Sequence, residues 1–233
     1  MTMEVRIISY TPQPEVVVAS AARLCYSPCS ATKIMDDFEQ KDVNKFLEKL
    51  LKMGHLSPFE HASFTFAVDG ISRVASHQLV RHRVGASFSQ KSQRYVNENQ
   101  FEYVIPHSIA KDEKMKAEFD DLMVLLQNKY ENLISMGIPA EDARYLLPNA
   151  TTTNFVLTMN ARSLMHFFEL RCCNRAQKEI RELSDLMLER VREVAPALFA
   201  VAGPTCVTQG ICFEGQMSCG RALHIRSRNE KEE

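Results

Sequence analysis

Apolar positions change their period several times along the chain, and each change marks an element. Val5 to Tyr10 has the content of a strand, and Glu15 to Tyr26, following a proline, has the Val, Ala and Leu content of a buried helix. Lys41 to Met53 repeats apolar residues at Val43, Phe46, Leu47, Leu50 and Leu51, a helical stripe that Gly54 stops. Across residues 62–68 the period becomes two: Phe64, Phe66 and Val68 alternate with Ser63, Thr65 and Ala67, a strand closed by a turn at Asp69 and Gly70. A helical period returns from Ile71 through Val74, Ala75, Gln78 and Leu79. Carried on to His82, that helix stacks Gln78, Arg81 and His82 on one face.

Asp112 to Met136 reads as a long amphipathic helix stopped by Gly137, with apolar residues at Met115, Phe119, Leu122, Leu125, Leu126, Leu133 and Ile134. Phe119, Leu122, Leu126 and Leu133 are taken as core or subunit packing. Pro139 suits the first turn of a short helix that carries Arg144 and ends before Pro148. Thr151 to Met159 is β-branched and aromatic, a strand. Asn160 suits the N-cap of a helix holding Arg162, His166 and Arg171, and a further helix runs from about Arg175 to Val194, before Pro196. No internal repeat or low-complexity linker interrupts the chain. The expectation is one domain of mixed α and β elements over residues 1–233, with a Cys- and Gly-rich tail from about residue 203.

A hydrophobic content of 45% supports a globular core. No run approaches the roughly 18–20 apolar residues of a membrane span, and the start lacks the apolar stretch of a secretory signal. A cytoplasmic protein is expected. The 7 cysteines, an odd number without a regular framework, point to free thiols in a reducing compartment. Cys206, Cys212 and Cys219 with His224 can in principle ligate zinc, but closely spaced Cys-x-x-Cys pairs are missing, and no metal is expected.

The charge changes the picture in one place. The chain is balanced at a formal net charge of −1, yet residues 78–95 pack Arg81, His82, Arg83, Lys91 and Arg94 among hydroxyl and amide side chains. Guanidinium forks gathered without an acidic run suit a phosphate or another oxyanion. Because the positive charge is local, a small anionic ligand fits better than a nucleic-acid footprint.

The segment Arg81-His82-Arg83, followed by Ser92-Gln93-Arg94-Tyr95, resembles the signature of the flavin-dependent thymidylate synthases. Eight residues, Val84 to Lys91, separate Arg83 from Ser92, one more than the family's usual spacing, with the extra residue placed at Val84-Gly85. Three further blocks are similar to the same family: Gly54-His55-Leu56-Ser57-Pro58-Phe59-Glu60-His61, Ala143-Arg144-Tyr145-Leu146-Leu147-Pro148, and Asn160-Ala161-Arg162-Ser163-Leu164 continuing to Glu169-Leu170-Arg171. Gln90 stands where many members carry Glu, and Arg175 where many carry His.

The resemblance implies an α+β fold, a mixed sheet flanked by helices, assembled as a homotetramer with sites at subunit junctions. It implies methylation of dUMP to dTMP, with carbon from 5,10-methylenetetrahydrofolate and reducing equivalents from NADPH through FAD. The nucleotide set is then Gln78, Arg81, Gln90, Lys91, Ser92, Gln93, Arg94, Arg144 and Arg171. The flavin and folate set is His55, Ser57, Glu60, Arg81, His82, Arg83, Gln90, Asn160, Arg162 and His166. Arg171 is the central activating group, since a fixed cation beside the uracil ring favours its ionised imide.

Two competing readings remain: a cysteine-dependent nucleotide methylase using Cys172 or Cys173, and an RNA- or nucleotide-binding module built on Arg81 to Arg94. The first lacks an evident partner base for its nucleophile. Ser92 reads as a hydroxyl that bonds the nucleotide from a tight loop, not as a nucleophile. Neither nucleic acid nor membrane is expected as a partner.

Overall fold

The computed structural model describes residues 3–28, 30–34 and 40–222. Strands β1 (Glu4–Tyr10), β2 (Ser63–Ser72), β3 (Ala86–Gln90) and β4 (Thr152–Asn160) form one antiparallel sheet in the order β1-β2-β4-β3. The helices are α1 (Pro14–Leu24), α2 (Gln40–Met53), α3 (Arg73–Leu79), α4 (His107–Ala110), α5 (Glu113–Ser135), α6 (Ala140–Ala143), α7 (Ala161–Arg171), α8 (Lys178–Val194) and α9 (Thr205–Thr208). The expected α+β class is the observed one.

The chain divides into two compact units. One takes residues up to Val5, Ala67–Arg81 and Phe88–Val156; the other takes Arg6–Phe66, His82–Ser87 and the residues from Leu157 on. Each strand runs from one unit into the other.

In the first unit Val68, Ile71, Ala75, Leu79, Met123, Tyr130, Ala143 and Phe155 are buried. Helix α3 starts cleanly because the Ser72 hydroxyl accepts from the Ala75 N–H at 3.1 Å, satisfying one orphan donor of the first turn. Asp112 caps α5 in the same way through Lys114 and Met115. The buried residues of α5 are Met123 and Tyr130, neither in the predicted stripe, and the Tyr130 hydroxyl accepts from the Glu98 N–H at 3.1 Å. Phe119 packs against the Tyr103 ring at 6.0 Å between centroids, while Leu122 and Leu125 are 49% and 51% exposed.

The second unit is built on phenylalanines. Phe64 meets Phe199 edge-on at 5.3 Å between ring centroids, and Phe168 meets Phe199 at 6.0 Å. Phe59, Phe66 and Phe167 are fully buried with them. Asn160 caps α7 by accepting from the Ser163 N–H at 2.9 Å, as the sequence predicts. Gly54 ends α2 with φ of +69°, the left-handed region open to glycine.

Two expectations are corrected. The strand does not turn at Asp69 and Gly70; it continues to Ser72, and its pairing carries on as Arg73 N–H donates to the Thr151 carbonyl at 3.0 Å. Ladder hydrogen bonds outweigh the local turn preference there. Helix α3 stops at Leu79, where its apolar pacing runs out, so Gln78 is helical while Arg81 and His82 lie beyond its end. His224, weighed as a metal ligand, lies outside the described residues, as does Cys29.

Candidate active site

In the first unit, the loop after β3 and the turn after α6 converge. Arg94 Nε and Nη2 both donate to Glu141 Oε2, at 3.2 and 3.0 Å, and Arg144 Nε donates to the Glu141 carbonyl at 3.0 Å. Two guanidiniums from separate sequence blocks thus meet at one residue. Arg73 is close enough to add a third: burial first, and then the positive field of Arg144, push its pKa below the ordinary arginine value, while Glu98 opposes the shift. Lys91 is held by Glu98 at 2.8 Å.

Gln93 is buried, and its side-chain nitrogen has no hydrogen-bond partner. A buried amide donor left unpaired costs about 1–3 kcal/mol. The Ser92 hydroxyl accepts from the Arg94 N–H at 3.2 Å, which fixes the turn and gives it a structural task. Gln90 donates to Ser76 Oγ at 3.3 Å and Thr153 Oγ1 at 3.1 Å. Gln78 is half-buried and Arg81 exposed.

In the second unit, His82 lies against α7. Its ring meets Phe167 edge-on at 5.0 Å and His166 at 6.4 Å. Arg171 Nε donates to His82 Nε2 at 3.0 Å, which requires that nitrogen to be an acceptor and places the imidazole proton on Nδ1. Burial, then Arg171, then His166 lower the His82 pKa to about 4. The ring is therefore neutral at pH 7 and serves as a rigid acceptor that aims the guanidinium.

Glu60 and Arg162 pair at 2.5 Å across two elements, the 3₁₀ turn Ser57–His61 and the first turn of α7. Ala161 N–H donates to the Ala62 carbonyl at 2.8 Å and fixes the two elements together. Beside them opens a cavity of about 1010 Å³, lined by Gly54, Leu56, Arg162, Met165, His166 and Thr205 among others. His55 faces elsewhere, into a hollow of about 690 Å³ with Arg23, Tyr26 and Phe46. Ser57 and Arg83 are exposed.

The structure thus brings together Arg94 with Arg144, Glu60 with Arg162, Arg162 with His166, and His82 with Arg171. Glu141 and Arg73 were missed in the sequence. Glu141 stands three residues before Arg144, a helical spacing that signals an acid–arginine neighbourhood; Arg73 gives no such signal. Cys172 is buried against Ser184, with Sγ and Oγ at 3.1 Å, and burial pushes its pKa up to about 12. A thiol so held stays protonated at neutral pH and is a poor nucleophile.

Residues 6–197 match the family described as "Thymidylate synthase complementing protein". The chain is 49% identical to a flavin-dependent thymidylate synthase of Clostridium tetani, covering 97% of this chain and 96% of that protein. It is 50% identical to one of Geobacter sulfurreducens, covering 96% and 97%. The chain belongs to the flavin-dependent thymidylate synthases. A UMP/dUMP methylase from Streptomyces cacaoi, solved with 5-Br dUMP bound, shares the fold at a TM-score of 0.72 and 24% identity, over 85% of this chain and 93% of that one. In this flavin-dependent thymidylate synthase the longer signature loop is clasped by α7: Ser163 Oγ donates to the Val84 carbonyl at 2.8 Å, and Asn160 N–H to the Gly85 carbonyl at 3.1 Å.

Proposed function

We propose that this chain methylates dUMP to dTMP with 5,10-methylenetetrahydrofolate as carbon donor and NADPH as reductant through FAD, releasing tetrahydrofolate. It works in the cytoplasm as a homotetramer with active sites at subunit junctions. The enzyme class follows from the family. The observation that carries the mechanism is the Arg171–His82 pair: a half-buried guanidinium, aimed by a neutral ring, at the end of the helix that also presents Arg162 and His166.

The residues around the larger cavity fit a flavin. Leu56, Met165, Ala200 and Val201 supply apolar wall, while Arg162, Lys52 and His166 supply donors suited to a pyrophosphate or a ring carbonyl. Flavin, when bound there, supplies the reducing electrons. Glu60 holds Arg162 in place, and Asn160 anchors the start of the helix that carries it.

Arg94 and Arg144 bind the dUMP phosphate, and Gln93 gives its unpaired N–H to a nucleotide oxygen. Gln78, Arg81, Gln90 and Lys91 complete that set, with Ser92 setting the turn. Arg171 stabilises the negative charge that develops at the imide of the pyrimidine. A preorganised cation in a site shielded from water acts without reorganising during reaction. No cysteine adduct is needed, and the protonated Cys172 thiol speaks against one.

The purified protein is expected to be yellow and to oxidise NADPH faster when dUMP and methylenetetrahydrofolate are present, with dTMP as product. Arg171→Ala lowers kcat by about 10²–10³-fold, the usual loss for one charge-stabilising donor, while Cys172→Ser keeps turnover. A colourless protein without flavin affinity, or the reverse order of the two variants, overturns the reading.

A further inference from the structure

Lys91 and Glu98 bracket the loop that presents Gln93 and Arg94, and each is fastened to a different part of the first unit. At the near end, Lys91 N–H donates to the Asn154 carbonyl at 3.0 Å, carrying the pairing of β3 with β4 one residue past Gln90. At the far end, Glu98 N–H donates to the hydroxyl of Tyr130, a fully buried side chain of α5. The two side chains then meet, with Lys91 Nζ 2.8 Å from Glu98 Oε2. The loop is thereby tied across its base.

Inside the loop the backbone is folded by local bonds. Val96 N–H donates to the Ser92 carbonyl at 3.1 Å, and Arg94 N–H to the Ser92 hydroxyl at 3.2 Å. Such bonds shape a turn without setting where it sits on the body of the protein. That is left to the two ends and the pair that joins them.

The pair differs from the others near the candidate site. Arg94–Glu141 is about half exposed on both sides, whereas the Glu98 side chain is 7% exposed and that of Lys91 34%. An exposed pair holds little, because water and salt screen it. A buried carboxylate must have its charge met inside the protein, so it fixes the cation that meets it. Arg73, at the start of α3, lies in the field of the same carboxylate, which opposes the loss of charge that burial and Arg144 impose on it. An ammonium held in this way is not free to donate to a phosphate, since moving it would strand the Glu98 charge.

We propose that Glu98 is a positioning residue for the phosphate-binding loop: it holds the Lys91 ammonium across the base, and Lys91 acts on the nucleotide through the loop it closes, without touching the phosphate. This rests on the assignment of Arg94 and Arg144 to the dUMP phosphate and deepens it. A loop fixed before the ligand arrives loses less freedom on binding, so the nucleotide meets Gln93 and Arg94 already in place. Loosening the clasp weakens capture of dUMP and leaves the chemical step at saturating substrate nearly as it was.

The test measures dUMP affinity by isothermal titration calorimetry, with steady-state kinetics, on the full-length flavin-loaded protein. The variants are Glu98→Gln, Lys91→Met, Glu98→Leu combined with Lys91→Met, and Arg94→Ala. Glu98→Gln keeps the size and an acceptor but loses the charge; it should raise Kd and KM for dUMP about tenfold, the order of one charge-assisted hydrogen bond, with kcat changed less than about twofold. Lys91→Met should weaken affinity to the same degree, and the double variant should be no weaker than either single one, because it strands no charge. If a single variant fails to fold, the double variant still carries the comparison with the native chain. Were Lys91 a direct phosphate ligand, Glu98→Gln would free it and tighten dUMP binding or leave it unchanged. Either result overturns the proposal, as do additive losses in the double variant, or a lowered Tm with dUMP affinity intact throughout. Arg94→Ala separates the two readings. If it leaves dUMP affinity unchanged, the phosphate assignment fails and takes the clasp's role with it; if it weakens binding while the Glu98 variants do not, the clasp alone fails.

Discussion

His82 shows how burial and charge together settle a protonation state. Its folded pKa of about 4 lies below the ordinary 6.5, so as pH falls the unfolded chain takes up the proton first. Stability contributed by the neutral ring is whole above about 6.5, drains as pH falls towards about 4, and levels off below, where both states are protonated. Thermal melts from pH 7 to 4 should show a steeper fall in Tm for the native chain than for His82→Gln, which cannot titrate; parallel curves would contradict this. Protonation of the folded protein also removes the acceptor that Arg171 uses, so loss of activity from this cause should be centred near pH 4. The pairing is invisible in sequence because its partners stand 89 residues apart, and a lone histidine reads as an ordinary structural one. Arg94 stood out because the guanidinium excess of residues 78–95 has few structural explanations, whereas Arg144, a lone arginine, was singled out only through the family resemblance of its block. Glu141 and Arg73 were not, because a single charge on a short helix reads as a solvated face.

At the scale of elements, the loop joining Arg83 to β3 is fixed by contact with α7. Gly85 has φ of +62°, and a β-carbon added there would collide with the side chains of Asn160 and Ser163. Gly54 shares the backbone conformation but has open space around it. Gly85→Ala should therefore cost about 1–3 kcal/mol, more than Gly54→Ala, and should loosen the N-cap of α7. Chemical denaturation of both variants checks the order, and an equal or smaller loss at Gly85 would refute it. Elements with a sustained period, α2, α5, β4 and α7, were readable to within a few residues. β3 was not, since Ala86–Gln90 is short, polar and half-exposed and owes its form to pairing with β4. The end of α3 was overrun because nothing in Val80-Arg81-His82 forbids a helix.

For the whole molecule, the exposed stripe of α5 supports the proposed assembly. Met115, Leu122 and Leu125 lie along one face, seven and three residues apart, each about half exposed. Leu122→Asp with Leu125→Asp should shift the sedimentation profile from tetramer towards smaller species, with little change in the melting of the separated chains. A tetramer unaffected by both charges would move the interface elsewhere. Finally, Glu141 lends Arg94 a carboxylate from within the chain. On the proposed assignment of Arg94 to the substrate phosphate, arrival and departure of substrate are a trade between two anions, not the filling and emptying of a bare cationic socket. On that assignment a doubly charged monoester is expected to compete with the Glu141 carboxylate and a neutral nucleoside is not.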